Sequence, residues 1–213
     1  MSKRIAVLVS GGGTNLQALL DAQARGALGG GEITAVVSST PGAYALDRAK
    51  AAGIPGRYTL SRKDYSSSQL YTKAMVQLLR ECAAPDLVVM AGFLVILTRE
   101  MVDAFPNAIL NVHPALIPSF CGAGYYGLRV HEAALAYGVK VTGATVHFVN
   151  EEPDGGPIVL QKAVDILPGD TPEALQRRVM EQAEWVILPK AVSLFCEGRL
   201  SVEGRTVTIK EER

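Results

Sequence analysis

Apolar positions along the chain fall into short unbroken runs that alternate with longer, periodically apolar stretches. Ile5-Ala6-Val7-Leu8-Val9 is wholly apolar and rich in β-branched residues, the pattern of a strand covered on both faces. A glycine turn follows, and Asn15 to Ala24 places Leu16, Leu19, Leu20 and Gln23 at helical spacing. Ile33 to Val37 reads as a second buried strand. Tyr44 to Ala52 reads as a helix stopped at Gly53, with Pro55 just beyond. Leu70, Ala74, Met75, Leu78, Leu79 and Cys82 predict the apolar stripe of a further helix, ended by Pro85. Leu87 to Met90 and Ala108 to Val112 are strand candidates. This βαβ rhythm predicts an α/β fold, a doubly wound and mostly parallel sheet with helices on both faces.

The second half changes character. Val141 to Val149 alternates, with Val146 and Phe148 against Thr145 and His147, and Ile158 to Ile166 is a second extended stretch. The turn from Asn150 to Pro157 makes them candidate neighbours. Thr171-Pro172-Glu173 is a helix start, with Thr as N-cap and Pro at the first helical position. That helix is expected to run towards Gly198, bent at Pro189. Leu200 to Ile209 resembles a hairpin around Glu203-Gly204, and Lys210 to Arg213 a polar tail. No repeat or linker divides the chain, so residues 1–213 read as one domain, with halves at about 1–105 and 106–213.

Composition narrows the function. With 48% apolar residues among 213, the chain has material for a core and is not intrinsically disordered. Lys and Arg number 21 against 21 Asp and Glu, without clustering, which argues against nucleic acid as the main partner. The longest uncharged apolar run, Leu87 to Leu97, is too short for the roughly 20 residues that span a bilayer. The N-terminus enters a strand at once, without the apolar segment of a secretory signal. Cys82, Cys121 and Cys196 are widely spaced and form no Cys-x-x-Cys pair, so they read as free thiols of a reducing, cytoplasmic compartment.

Three stretches carry candidate chemistry. Ser10-Gly11-Gly12-Gly13-Thr14-Asn15 follows a strand and opens a helix, where backbone N–H groups can approach an anion. It is no Walker A loop, and Leu16 stands where a dinucleotide fingerprint wants its third glycine. A monophosphate site and a plain tight turn both fit. In Asn111-Val112-His113-Pro114, Asn111 and His113 project to one face of a strand, an amide beside an imidazole. Such a pair can polarise a carbonyl and move a proton, or be structural. Asn150-Glu151-Glu152-Pro153-Asp154-Gly155-Gly156-Pro157 is either a solvated loop or the source of a carboxylate, Asp154, that raises the pKa of His113 above about 6.5. His131 and His147 lack ligand spacing, so no metal is expected. Tyr125 and Tyr126 fit a lid or a surface loop, and Trp185 fits packing.

These stretches together resemble one family, phosphoribosylglycinamide formyltransferase of purine synthesis. The likeness runs through Val7 to Ala18, Asp86 to Phe93, Asn111 to Phe120, Thr142 to Val149 and Asp154 to Val159, and through Asp170-Thr171, Arg178-Val179, Glu184 and Pro189. It implies a Rossmann-like formyltransferase fold. It implies transfer of a formyl group from 10-formyltetrahydrofolate, a cosubstrate and not a tightly bound cofactor, to the amine of 5-phosphoribosylglycinamide. On this resemblance Asn111, His113 and Asp154 are catalytic, and Gly13, Thr14, Asn15 and Glu184 hold the ribonucleotide. Folate falls to Ser68, Leu94, Val95, Ile96, Leu97, Asn111, Asn150, Glu151, Glu152, Pro153 and Asp154.

The chain departs from the family pattern at several points. Ser68 stands at a position usually Arg, Val95 where some members have Arg, Trp185 where His is common, and Ala115 for the usual Ser. The loop Cys121 to Leu128 is longer and more aromatic than in many members. A methionyl-tRNA formyltransferase is expected to add a basic C-terminal domain, and a formyltetrahydrofolate deformylase an N-terminal one. A non-catalytic phosphoribosyl-ligand-binding module explains the glycine loop but not Asn111, His113 and Asp154 together. The sequence leaves the oligomeric state open.

Overall fold

The computed structural model describes residues 2–211. Its centre is β1 (Lys3–Val9), flanked in parallel by β2 (Gly31–Ser38) and β4 (Leu87–Met90). Parallel pairs continue outward to β3 (Gly56–Thr59) beside β2 and β5 (Ile109–His113) beside β4. Beyond β5 the direction changes: β6 (Val141–Phe148) and β7 (Ile158–Asp165) follow antiparallel. The hairpin β8 (Leu200–Glu203) and β9 (Thr206–Ile209) completes the sheet order β3-β2-β1-β4-β5-β6-β7-β9-β8. The doubly wound, mostly parallel architecture expected from the βαβ rhythm is therefore present.

Period-two alternation explains why β1 is apolar from Ile5 to Val9. Ile5, Val7 and Val9 face one core layer with α1 (Thr14–Ala24), α2 (Tyr44–Ala51) and α7 (Trp185–Cys196). Ala6 and Leu8 face the other, with α3 (Ser68–Leu78) and α4 (Arg99–Ala104). A strand covered on both sides has no position where a polar side chain finds water. Gly13 caps α1 in the left-handed conformation at φ 72°, and an added Cβ would come within 2.6 Å of Ala45 Cβ. Glycine is thus what allows α1 to start against α2.

Two expectations about helices need correction. The buried face of α3 holds Tyr71, Thr72 and Met75, continuing to Leu79 and Ala83, while Leu70 is exposed and Cys82 faces solvent. The stripe already differs at the start of α3, where Tyr71 and Thr72 face inward. Beyond α3 a wide π-helical turn, in which Ala84 N–H donates to Leu79 O, carries Ala83 inward in place of Cys82. In the C-terminal helical stretch Thr171 Oγ1 accepts from Ala174 N–H, the expected N-cap, at the start of α6 (Pro172–Val179). The change in winding comes at the π-helical turn Met180–Glu184, and α7 runs on through Pro189. β3, α4 and α5 (Leu128–Tyr137) are not marked by the apolar pattern; each is short. Among the described residues no helix is long and apolar enough to cross a membrane. The end of the expected polar tail, residues 212–213, lies outside the described residues.

Candidate active site

The strand order reverses between β1 and β4, and at such a switch point open α/β sheets leave a crevice outside the carboxyl ends of the strands. Ser10, just after β1, ties its two lips together: Leu94 N–H donates to Ser10 Oγ at 2.9 Å, and Ser10 Oγ lies 2.7 Å from Ser39 Oγ.

On β5, Asn111 and His113 share a face, as their spacing requires. The antiparallel register sets His147 opposite Asn111 and Thr145 opposite His113. The loop between β6 and β7 then folds back so tightly that Phe148 N–H donates to Pro157 O and a Cβ on Gly156 would overlap the Phe148 carbonyl. Asp154, left-handed at φ 56°, is thereby inserted among these side chains. Its Oδ2 lies 3.4 Å from His113 Nδ1 and accepts from Gly122 N–H at 2.8 Å. Its Oδ1 lies 3.6 Å from His147 Nε2 and 3.5 Å from Asn111 Nδ2. The three residues expected to be catalytic form one cluster.

His147 belongs to that cluster and was not foreseen. Its Nδ1 sits 2.8 Å from Phe148 O, which can only accept, so we place the ring proton on Nδ1. Nε2 then accepts from Asn111 Nδ2 at 3.1 Å, which fixes the orientation of the amide. The only sequence signal for this is the alternation of 141–149 combined with a strand register that spacing does not reveal.

Burial dominates the electrostatics. It pushes the Asp154 carboxyl upward, yet His147, His113 and the Gly122 N–H together outweigh it and hold Asp154 below the ordinary carboxylate value. For His113, 4% exposed, burial wins: the pKa is lowered although Asp154 and the Phe120 carbonyl, 2.8 Å from Nε2, both pull it up. The expected rise is therefore overturned. Asp154 acts in the expected sense, but desolvation of the ring is larger. His131 is fully buried, with its pKa pushed down to about 4, and neither ring nitrogen has a hydrogen-bond partner among the described residues. No group of metal-ligating side chains occurs among the described residues.

The glycine loop builds a second cluster. Gly11 and Gly12 are exposed, and an added Cβ on either would meet nothing within 4 Å. No side chain caps α1, so its first-turn N–H groups point outward from Thr14 and Asn15. Arg48 Nε donates to Gly12 O at 2.8 Å. Asn15 Nδ2 donates to Glu184 Oε2 at 2.6 Å; both residues are buried, and burial pushes Glu184 up to about 7 against the opposing effect of that bond. Gly13, Thr14, Asn15 and Glu184 are thus brought together. A cleft of about 290 Å³ opens beside Thr14, lined by Gln17, Arg48 and Trp185 as well. A larger groove, about 510 Å³ between α3 and α4, is lined by side chains of both charges and none of the expected site residues.

The residues expected to meet folate form the remaining wall. Leu94 and Ile96 are 62% and 66% exposed, an apolar ledge, while Val95 and Leu97 pack inward. Arg99 and Glu151, 3.4 Å apart, link α4 to the loop holding Asn150, Glu152 and Pro153. Ser68 is joined to the ledge through Thr72, whose Oγ1 donates to Ser68 O and accepts from Thr98 N–H. Ser68 Oγ itself accepts from Arg62 Nη2 at 3.3 Å.

Comparison with known proteins decides the family. The model of the formyl transferase family matches residues 3–192. The chain belongs to the formyl transferase family. Within it, the chain is 43% identical over 201 residues to the phosphoribosylglycinamide formyltransferase of Haemophilus influenzae, covering 94% of this chain and 91% of that one. A glycinamide ribonucleotide transformylase from Symbiobacterium toebii superposes with a TM-score of 0.92 at 44% identity, over 99% of this chain and 95% of that one. A formyltetrahydrofolate deformylase from Pseudomonas syringae shares the fold, with a TM-score of 0.87 at 24% identity over 99% of this chain and 67% of that one.

Two titrations follow for this member of the formyl transferase family. Asp154→Asn removes an upward influence on His113, so the His113 midpoint falls further below its ordinary value in an NMR titration; an unmoved midpoint contradicts the coupling. Glu184 has a folded-state pKa raised from 4.5 to about 7, so its stabilising contribution is complete below 4.5 and lost as pH rises through 7. Between pH 5 and 8 Glu184→Gln should therefore gain about 3 kcal/mol of stability relative to wild type in denaturant unfolding. Parallel pH curves for the two proteins would refute this.

Proposed function

We propose that the chain transfers the formyl group of 10-formyltetrahydrofolate to the amine of 5-phosphoribosylglycinamide, giving the N-formyl product and tetrahydrofolate, in the cytoplasm. The carrying observation is the buried cluster around Asp154, set beside an exposed apolar ledge and an uncapped glycine loop, in a chain whose relatives bear this activity in their names.

In this reading the catalytic side chains come from residues after about 105, while both substrates are held from both sides of that boundary. The dianionic phosphate of the ribonucleotide lies on the N–H groups of Gly13, Thr14 and Asn15, with Glu184 near its sugar. Folate lies along Leu94 to Leu97, reaching Ser68 on one side and Asn150 to Asp154 on the other. The amine nitrogen attacks the formyl carbon, and the carbonyl electron pair moves onto oxygen. Asn111 donates to that oxygen, its amide already turned by His147. When the adduct collapses, the carbon–N10 bond breaks. The amine loses a proton and N10 gains one. The first is taken up by the His113–Asp154 pair and returned from His113 to N10, while Asp154 stabilises the imidazolium in between. The formyl group arrives already activated on N10, so these side chains supply positioning and proton transfer.

Tetrahydrofolate release that requires both 10-formyltetrahydrofolate and 5-phosphoribosylglycinamide supports this function; release without the ribonucleotide means a deformylase, and no release means a binding module. Gly12→Val tests the phosphate position without disturbing the fold, since its side chain points into open space. The KM for the ribonucleotide should rise at least about tenfold with the KM for folate unchanged. Equal weakening of both ligands would remove the loop from phosphate binding.

A further inference from the structure

The mechanism leaves unexplained the aromatic segment that follows the catalytic strand. Phe120, a bulky residue, sits in the left-handed region at φ 49°, a conformation that aromatic side chains rarely adopt unaided. In it the Phe120 carbonyl points at His113 Nε2, 2.8 Å away, and two residues on Gly122 N–H reaches Asp154 Oδ2 at 2.8 Å. A single stretch of backbone thus holds both members of the His113–Asp154 pair. What keeps that stretch in place is aromatic. The Phe120 ring meets Tyr125 edge-on at 6.3 Å and 65°, and Tyr137 at 5.9 Å and 75°, both in the range of favourable T-shaped pairs.

The two tyrosines differ in their support. Tyr125 rides on the same glycine-rich loop, where its own N–H donates to Gly122 O. Tyr137 is the last residue of α5, a helix anchored in the core by Val130, His131 and Ala134. Its side chain is otherwise 80% exposed. An exposed tyrosine whose ring contact is the Phe120 ring contributes little to the core, but it links a rigid helix to the backbone that orients the imidazole.

We infer that Tyr137 is a positioning residue for the formyl transfer, acting through Phe120 to hold the carbonyl that accepts from His113 Nε2–H. The inference rests on the reading of His113 and Asp154 as catalytic. Removing the Tyr137 ring frees Phe120 to relax from its left-handed conformation. His113 then loses one of two competing acceptors, and the ring proton shifts from Nε2 towards Nδ1, where the Asp154 carboxylate is the remaining acceptor. Asp154, His147 and His131, the titratable groups that act on His113, stay as they are.

The test compares wild type, Tyr137→Ala and Tyr137→Phe by imidazole nitrogen NMR and by steady-state kinetics. In Tyr137→Ala the Nε2–H share of His113 falls, and kcat drops between about 5- and 100-fold with both KM values within twofold of wild type. Tyr137→Phe keeps the ring and restores both. Tyr125→Ala, on a loop outside the core, gives a smaller shift in the same direction and serves if Tyr137→Ala does not fold. An unchanged tautomer ratio in the folded variants overturns the inference, even where kcat falls, because the loss would then not pass through Phe120. The NMR arm needs no turnover, so a failure of the proposed reaction and a failure of the positioning role are read separately.

Discussion

A half-buried carboxylate is the constraint around which the rest of the site is arranged. Burial pushes Asp154 towards its neutral form, and the Gly122 N–H, the Asn111 amide and the neighbouring imidazoles offset it. Those groups come from different pieces of chain. His113 belongs to β5, His147 to β6 and Gly122 to the loop before α5, while Asn111 is oriented by His147. The β5–β6 register, the tight return at Gly156 and the left-handed backbone at Asp154 are therefore needed together. Loss of any one removes a partner of the Asp154 carboxylate.

The same charge sets the character of His113. Two acceptors face its ring, an arrangement suited to the imidazolium, yet desolvation holds the free protein's His113 towards the neutral form. Such a group gives up a proton readily once it has taken one, and the facing carboxylate offsets part of the cost of charging it, which suits a relay between two nitrogens. The ribonucleotide side follows a different logic. There the proposed anion site rests on backbone N–H groups at the start of α1, which no side chain caps.

Much of this was legible in the sequence where a local rule governs. The apolar run of β1, the N-cap at Thr171 and the shared face of Asn111 and His113 all follow from spacing within a few residues. Where long-range geometry governs, the sequence misled or was silent. Beyond α3 a wide turn that no single residue announces brings Ala83 inward in place of Cys82. His147 looked like an ordinary strand residue because its partner Asn111 is 36 positions away, brought opposite by register. The sign of the His113 shift was misjudged because a neighbouring carboxylate is visible in a motif and the depth of burial is not. The sequence also showed Tyr125 and Tyr126 as an unassigned aromatic loop, since the packing of Phe120 between Tyr125 and Tyr137 exists only in three dimensions.

If Asp154 acts through His113, the two residues form one catalytic unit and their losses cannot add. A double-mutant cycle on kcat with His113→Ala, Asp154→Asn and the double variant measures this directly. Each single change should lower kcat by roughly 10²–10⁴, and the double variant should be no slower than the slower single one to within about threefold. A double variant whose loss is the product of the two single losses would show two independent groups, and the account of Asp154 as the centre of the site would be wrong.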